Sequence, residues 1–267
     1  LALQKEGFRV TVVDREKPGR SCSFGNAGAI SPSSALPNSL PGVMYKVPGW
    51  LFREDGPLFI QWKYFPKLIP WLIRFLNSAN WDKVDETTSS LLTLHASCFG
   101  LYQDLVKEIG AEDLIVESPV INLYKKEEDF KSALSFWKIL KDKGIEYEEL
   151  DEPLVRENEP NLSSDYQFGV LFRNSGFSSN PFRLVEKMSE RFLSDGGDFI
   201  HEYVQNIKSD EHGKITLKLE NREIQSERVL VAAGAWSHQL ASQLGVKIPL
   251  ETERGYHVTL NSKEGGP

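Results

Sequence analysis

The chain has 267 residues, 40% of them hydrophobic and 26% charged, the balance of an ordinary soluble globular protein with room for two packed lobes. Its 38 acids outweigh its 31 bases for a net charge of -7, which argues against a nucleic-acid partner, since no basic excess is available to displace backbone counterions. Two isolated cysteines, Cys22 and Cys98, fit neither a disulfide framework nor a CxxC metal site and point to a reducing compartment.

In chain order, residues 1–6 read as the end of a helix stopped by Gly7, and residues 8–14 as a buried, β-branched strand ending in Asp14. Residues 17–49, rich in Gly, Ser, Pro and Asn, read as one long functional loop. Residues 87–109 read as a single amphipathic helix with Leu91, Leu94, Cys98, Leu101, Leu105 and Ile109 on its apolar stripe and Gly110 at its end. Strands broken at Pro119 follow, then a helix over 127–143, a strand in IEYEEL, and strand and turn in GVLFRNSGFSSN. Asn180 is placed to cap a helix with Pro181 at its first position and Leu184, Val185, Met188 and Phe192 on one face. Several strands with a hairpin at His212-Gly213 come next, Val229 to Val231 reads as a buried strand, and ETERGYHVTL as a last one. Helices and strands alternate at both ends around a more antiparallel middle, which is an α/β domain interrupted by an α+β lobe.

Three short stretches carry chemistry. The first, residues 3–14, runs L-x-x-x-G-x-x-V-x-V-x-D, the way a dinucleotide-binding βαβ unit finishes, with the terminal acid accepting from ribose hydroxyls. A plain α/β connection ending in a solvated Asp would look the same, and G-x-G-x-x-G occurs nowhere in the chain. The second, VLVAAGAWSHQLA, runs a strand through small residues into a helix, which lets a ligand approach the backbone or simply packs helix on strand. Those two strands are expected in one parallel sheet, with Asp14 and Gly234 facing one crevice. The third, SFGNAGAISP, offers exposed N–H groups and the Asn26 amide between Gly25 and Gly28, or else a plain surface turn.

In this order the stretches resemble the FAD-dependent amino-acid oxidoreductases of the D-amino-acid oxidase and glycine oxidase superfamily, most of all the small-subunit type of D-amino-acid dehydrogenase. VTVVDRE, SFGNAGAISPSSALPNSLPG, DEPLVRENEPNL, NPFRLVEKM and VLVAAGAWS carry the likeness, which runs along essentially the whole chain. It implies a Rossmann-like FAD-binding domain (1–35 and 181–245) interrupted by an α+β substrate domain with a mostly antiparallel sheet (36–180 and 246–267). It also implies that Asp14, with Arg15 beside it, holds the adenosine ribose, and that Ser23, Asn26, Ala27 and Gly28 lie along the flavin. Val204 would meet the adenine, and Ala233, Gly234 and Trp236 would run past the phosphate and ribose. The implied reaction is oxidation of a D-amino acid by hydride transfer from Cα to flavin N5, giving a 2-oxo acid and ammonia. A sarcosine, glycine or proline-type amine oxidase and a non-catalytic remnant stand as alternatives. Arg254 and Tyr256, in ERGYHV, are the candidates for the substrate carboxylate. With no initiator Met and no first glycine loop, the chain is expected to be an internal fragment, inactive and a poor FAD binder by itself.

No stretch reads as a signal peptide or a membrane span, and the location expected is cytoplasmic, peripheral to the inner membrane. The aromatic segment from Trp50 to Trp81, broken by Pro66 and Pro70 and carrying Lys63, Lys67 and Arg74, reads first as helices packed over the substrate lobe. A membrane-interface reading also stands, because the look-alike enzymes hand electrons to a membrane quinone. His95 reads as a helix-packing residue; His201, His212, His238 and His257 have no metal-ligand spacing. Paired acids such as Glu148-Glu149 read as solvated surface, and no G-x-S-x-G elbow is present.

Overall fold

A computed structural model describes residues 1–51, 60–250, 252 and 255–257; of residues 46, 48, 50 and 51 it describes the backbone alone. The elements run α1 (Ala2–Lys5), β1 (Thr11–Asp14), β2 (Ala29–Ile30), α2 (Val43–Leu51), α3 (Phe65–Ser78), α4 (Trp81–His95), α5 (Cys98–Ile109), β3 (Ile115–Glu117), β4 (Val120–Tyr124), α6 (Glu127–Asp142) and β5 (Glu148–Leu150). They continue with α7 (Glu152–Asn158), β6 (Phe168–Phe172), β7 (Gly176–Ser178), α8 (Pro181–Ser194), β8 (Asp198–His201), β9 (Asn206–Ser209), β10 (Ile215–Lys218), β11 (Glu223–Ser226) and α9 (Ser237–Gln243). Single-turn 3₁₀ segments precede β3 and α9. Helices mix with sheets that are antiparallel except where β1 meets β8, as the fold class read from the sequence requires.

Contacts divide the chain into two compact units. The first holds Leu1–Gly28, Lys107–Leu114 and Ser178–Pro267; the second holds Ala29–Val106 and Ile115–Phe177. Relative to the boundaries expected from sequence, residues 29–35 join the second unit, while 107–114, 178–180 and the described residues beyond 245 join the first.

In the first unit α1 ends as expected. Gly7 takes φ +84°, and the N–H of Phe8 reaches back to the Leu3 carbonyl at 3.0 Å, a six-residue closure that satisfies a helix-end acceptor. β1 then pairs in parallel with β8, Thr11 opposite Asp198 through Asp14 opposite His201. The link between them includes α8, whose N-cap Asn180 accepts from the Arg183 N–H at 3.0 Å and whose face buries Leu184 and Phe192. Removing that cap with Asn180→Ala should cost about 1 kcal/mol of stability in a denaturant melt, because one helix-end N–H loses its acceptor. The meander β9-β10-β11 carries the unit's core: Ile207, Leu217 and Leu219 are buried, with Val13, Ile200, Val229 and Val231 packed against them. Gln243 on α9 accepts from the Ile207 N–H at 2.9 Å and fixes that helix to β9.

In the second unit β6 is the middle strand of β4-β6-β5. Its sequence is apolar without alternation because both of its faces are covered. Val170 and Phe172 join a cluster with Phe130 and Leu140 of α6, while Leu171 points the other way, to Leu150 and Val155. Arg156 on α7 stitches this side together by donating to the carbonyls of Leu162 (2.6 Å), Ser163 (3.0 Å) and Tyr166. In the sheet β2-β7-β3, Gly176 lies where a Cβ would strike the Phe99 ring and the Val116 carbonyl, so only glycine lets these elements close.

Several expectations are corrected. The 87–109 helix is two helices, α4 and α5, separated by a turn at residues 96–97; neither Gly nor Pro marks the break, so periodicity reads through it. Its buried positions are Val84, Thr88, Leu92, Phe99 and Val106, whereas Leu94 and Leu101 of the expected stripe are 71% and 62% exposed. The 17–49 loop contains β2 and the start of α2. Pro70 does not break the aromatic segment but lies inside α3; Pro66 sits in the first turn, where the missing N–H has no helical partner to lose. Phe52 and Phe59 of that segment lie outside the described residues. β1 is not buried: Val13 alone is half-covered, because β8 occupies one edge and no described strand the other. For the same reason Val229–Val231 joins no ladder, although its valines pack on the cluster that includes Val13. A shared parallel sheet for the two segments is therefore not present among the described residues. Most of the expected last strand lies outside the description, and Gly255–His257 is irregular.

Candidate cofactor-binding site

All ten cofactor candidates, from Asp14 to Trp236, fall in the first unit. Asp14 ends β1 with its carboxylate exposed. Oδ1 accepts from the Glu16 N–H at 2.8 Å, an Asx turn that fixes the side chain, and Oδ2 accepts nothing from the described residues. The strand end is held by β8, where the His201 ring nitrogen Nε2 contacts the Arg15 carbonyl at 2.9 Å. With its carbonyl tied down, Arg15 lays its guanidinium over the Trp236 ring, 4.3 Å from the centroid. The first and second stretches singled out in the sequence thus meet through a pair that neither stretch announced.

Ala233, Gly234 and Trp236 form the turn into α9. Gly234 takes φ +53° and opens a single 3₁₀ turn over Gly234–Trp236, and Ala235 offers its carbonyl to His238 Nδ1 at 2.7 Å. Val204, between β8 and β9, is half-buried against the Ile207–Leu217–Leu219 core.

The loop holding Ser23, Asn26, Ala27 and Gly28 is shaped by two local devices. Asn26 Oδ1 accepts from the Gly28 N–H at 2.7 Å, and Gly28 takes φ +73° with its carbonyl receiving the Ser178 N–H at 2.8 Å. A Cβ on Gly28 would meet the Ser178 carbonyl and come within 3.1 Å of Pro181 Cγ, so the position admits no side chain. Phe24 is exposed and meets Phe182 edge-on. His257, which the sequence shows only as one of several scattered histidines, lays its ring against Gly25. Nothing but the three-dimensional contact could have found it. Among the described residues no hydrogen bond or ring contact joins this loop to Asp14 or Trp236. Tyr256 is exposed, and Arg254 lies outside the described residues.

The second unit has an open cavity of about 500 Å³, lined in part by Ser33, Tyr147, Arg173 and Ser175. Arg173 pairs with Glu148 through two nitrogens and holds that carboxyl below the usual carboxylate range, while Ser175 Oγ is buried without a partner. Elsewhere in this unit His95 Nδ1 is likewise buried and unpartnered. No group of His, Cys, Asp and Glu among the described residues could hold a metal ion, and no described helix is long and apolar enough to cross a membrane.

β1 thus ends in a carboxylate with one oxygen that accepts nothing from the described residues, and the Arg15–Trp236 pair joins that strand end to the small-residue turn before α9. The chain belongs to the FAD-dependent oxidoreductase family (DAO), whose family model matches residues 1–267. It is 36% identical over 267 residues to the D-amino-acid oxidase of Bradyrhizobium diazoefficiens, covering 98% of this chain and 63% of the relative. It is 28% identical to the D-amino acid dehydrogenase of Dechloromonas aromatica, covering 98% of this chain and 65% of the relative. The chain thus spans just under two thirds of the length of these relatives. Among solved structures, glycine oxidase from Geobacillus kaustophilus superposes with a TM-score of 0.62 at 20% identity, over 92% of this chain and 54% of that one. L-amino acid deaminase from Proteus vulgaris superposes at 0.64 and 14% identity, over 93% and 47%. These two likenesses are of fold.

The residues present fit the family's cofactor. Asp14 has an acceptor to spare for a ribose hydroxyl, Arg15 is an oriented cation, and Gly28 leaves no side chain over its loop.

Proposed function

We propose that the protein oxidises D-amino acids to imino acids, which water then hydrolyses to 2-oxo acids and ammonia. The observation that carries the cofactor half of this reading is the open Asp14 carboxylate oxygen at the end of β1, in the same unit as the Arg15–Trp236 pair and the Asn26–Gly28 loop. The D-amino-acid half is supported by the names of the two relatives above, matched along nearly the whole of this chain.

When bound, FAD supplies the acceptor for the hydride leaving the substrate Cα. The chain's own residues bind and orient. Asp14 takes the adenosine ribose through charge-assisted hydrogen bonds, and Arg15 and Trp236 line the way to it. Ser23, Asn26, Ala27 and Gly28 would lie along the flavin, in a loop held by the Gly28 N–H on Asn26 Oδ1 and with no side chain at Gly28. Ala233 and Gly234 let the dinucleotide pass close to the backbone, and Val204 presents its backbone to the adenine. The substrate carboxylate needs a paired donor, for which the Arg254 guanidinium with the Tyr256 hydroxyl is the choice within this chain.

Asp14→Ala should weaken FAD binding by about 1–3 kcal/mol, the loss of hydrogen bonds to a charged acceptor; flavin fluorescence on reconstitution measures it, and an unchanged affinity removes Asp14 from the site. The reaction itself is tested by adding D-amino acids, their L enantiomers, glycine, sarcosine and L-proline anaerobically to the complete gene product. Bleaching of the flavin by D-amino acids alone is the expected result. Bleaching by glycine, sarcosine or proline instead would assign the chain to the other amine oxidases.

A further inference from the structure

Beyond Asp14 the ladder of β1 and β8 stops, and the next carbonyl of the chain, that of Arg15, is taken by a side chain. His201 Nε2 lies 2.9 Å from it. A carbonyl can only accept, so Nε2 carries the proton and donates. The ring is set for this. His201 is the β8 residue directly opposite Asp14. Its imidazole lies nearly parallel to the Phe199 ring two positions earlier on the same strand face, with 21° between the planes and centroids 6.5 Å apart.

The carbonyl that accepts this bond belongs to the same peptide group whose N–H, that of Glu16, donates to Asp14 Oδ1 at 2.8 Å. A peptide group is planar, so what fixes its oxygen also fixes its hydrogen. His201, the Arg15–Glu16 peptide and the Asp14 carboxylate therefore form a chain of two hydrogen bonds through one rigid plane, and each bond polarises the other. Its far end holds Oδ1 and leaves Oδ2 as the open oxygen. The strand end depends on this hold, since β8 is the one strand neighbour of β1 among the described residues and both Asp14 and His201 are exposed. At the opposite end of the same two strands Arg9 meets Asp198 at 3.4 Å, an exposed ion pair of the kind that contributes little.

We propose that His201 is a positioning residue of the cofactor site: through the Arg15–Glu16 peptide it holds the Asp14 carboxylate in the orientation that accepts from a ribose hydroxyl. The assignment rests on the reading of Asp14 as the ribose acceptor. The test is the affinity of the flavin-free complete gene product for FAD, followed by flavin fluorescence. His201→Ala should weaken binding about five- to tenfold, within what one hydrogen bond contributes. His201→Gln should restore most of that loss, because its amide nitrogen reaches about as far along the side chain as Nε2, whereas the shorter His201→Asn should not. Arg9→Ala, which unties the same two strands at their other end, should leave the affinity unchanged. In an Asp14→Ala background His201→Ala should have almost no further effect, since the two residues act in series. An affinity unchanged in His201→Ala, while Asp14→Ala lowers it, overturns the proposal and leaves the cofactor reading standing. So does a His201→Ala loss of the same size in the Asp14→Ala background, or an equal loss in Arg9→Ala, which would mean that β1 is merely loosened. An affinity that Asp14→Ala itself does not change overturns the cofactor reading, and the proposal falls with it.

Discussion

Gly28→Val is expected to remove flavin binding and to destabilise the first unit by about 2–6 kcal/mol. Two costs add. A β-branched residue at φ +73° is held in a region that L side chains avoid, at about 1–3 kcal/mol. Its Cβ also meets the Ser178 carbonyl and the Pro181 ring, and overpacking of this kind costs about 1–3 kcal/mol. Neither neighbour yields easily. Ser178 donates its N–H to the Gly28 carbonyl, and Pro181 opens α8. Denaturant melts and flavin content of the purified protein measure the two effects. Gly28→Ala should show the same losses to a smaller degree. A valine variant with wild-type stability would mean that the loop does not close on Ser178 as described.

Arg156→Ala should destabilise the second unit by about 2–4 kcal/mol and leave cofactor affinity nearly unchanged. The guanidinium donates to three carbonyls, of Leu162, Ser163 and Tyr166, in the turn that returns the chain from α7 to β6. Hydrogen bonds from a charged donor contribute about 1.5–3 kcal/mol each where water is excluded, and less here because the site is only partly buried. Arg156→Lys should recover only part of the loss, as an ammonium cannot span three acceptors with one rigid fork. Equal stability of wild type and Arg156→Ala in urea would show that the turn holds without its clamp.

What the sequence made legible was whatever local chemistry determines. Gly7 ends α1, Asn180 and Pro181 start α8, Gly213 turns the β9–β10 hairpin, and Gly110 stops α5. Each follows from one residue's φ or one side-chain acceptor, and each is where the spacing puts it. Both the mixed α/β class and the family were readable because the NAG loop and the AAGAW turn need small residues in fixed order. The misses lie where partners decide. The break at residues 96–97 has no local signal, and the burial of Leu92 instead of Leu94 depends on where the Phe130–Leu140 cluster sits. Val229–Val231 has the composition of a strand but no ladder neighbour among the described residues, and β1 has one neighbour where a buried strand needs two. In the candidate site, Asp14 and Gly28 could be named from motifs. The stacking of Arg15 on Trp236 and the packing of His257 on Gly25 bring together residues more than 200 positions apart, beyond the reach of any local pattern.

The central claim is that Asp14 at the end of β1 was selected to hold the adenosine ribose of a dinucleotide. The most direct measurement is to purify the complete gene product, release its bound flavin by heat and identify the flavin by chromatography. The account predicts FAD at one molecule per chain, with the amount falling in Asp14→Ala. FMN, which has no adenosine for Asp14 to hold, or a protein that carries no flavin and takes up none on titration with FAD, would contradict it.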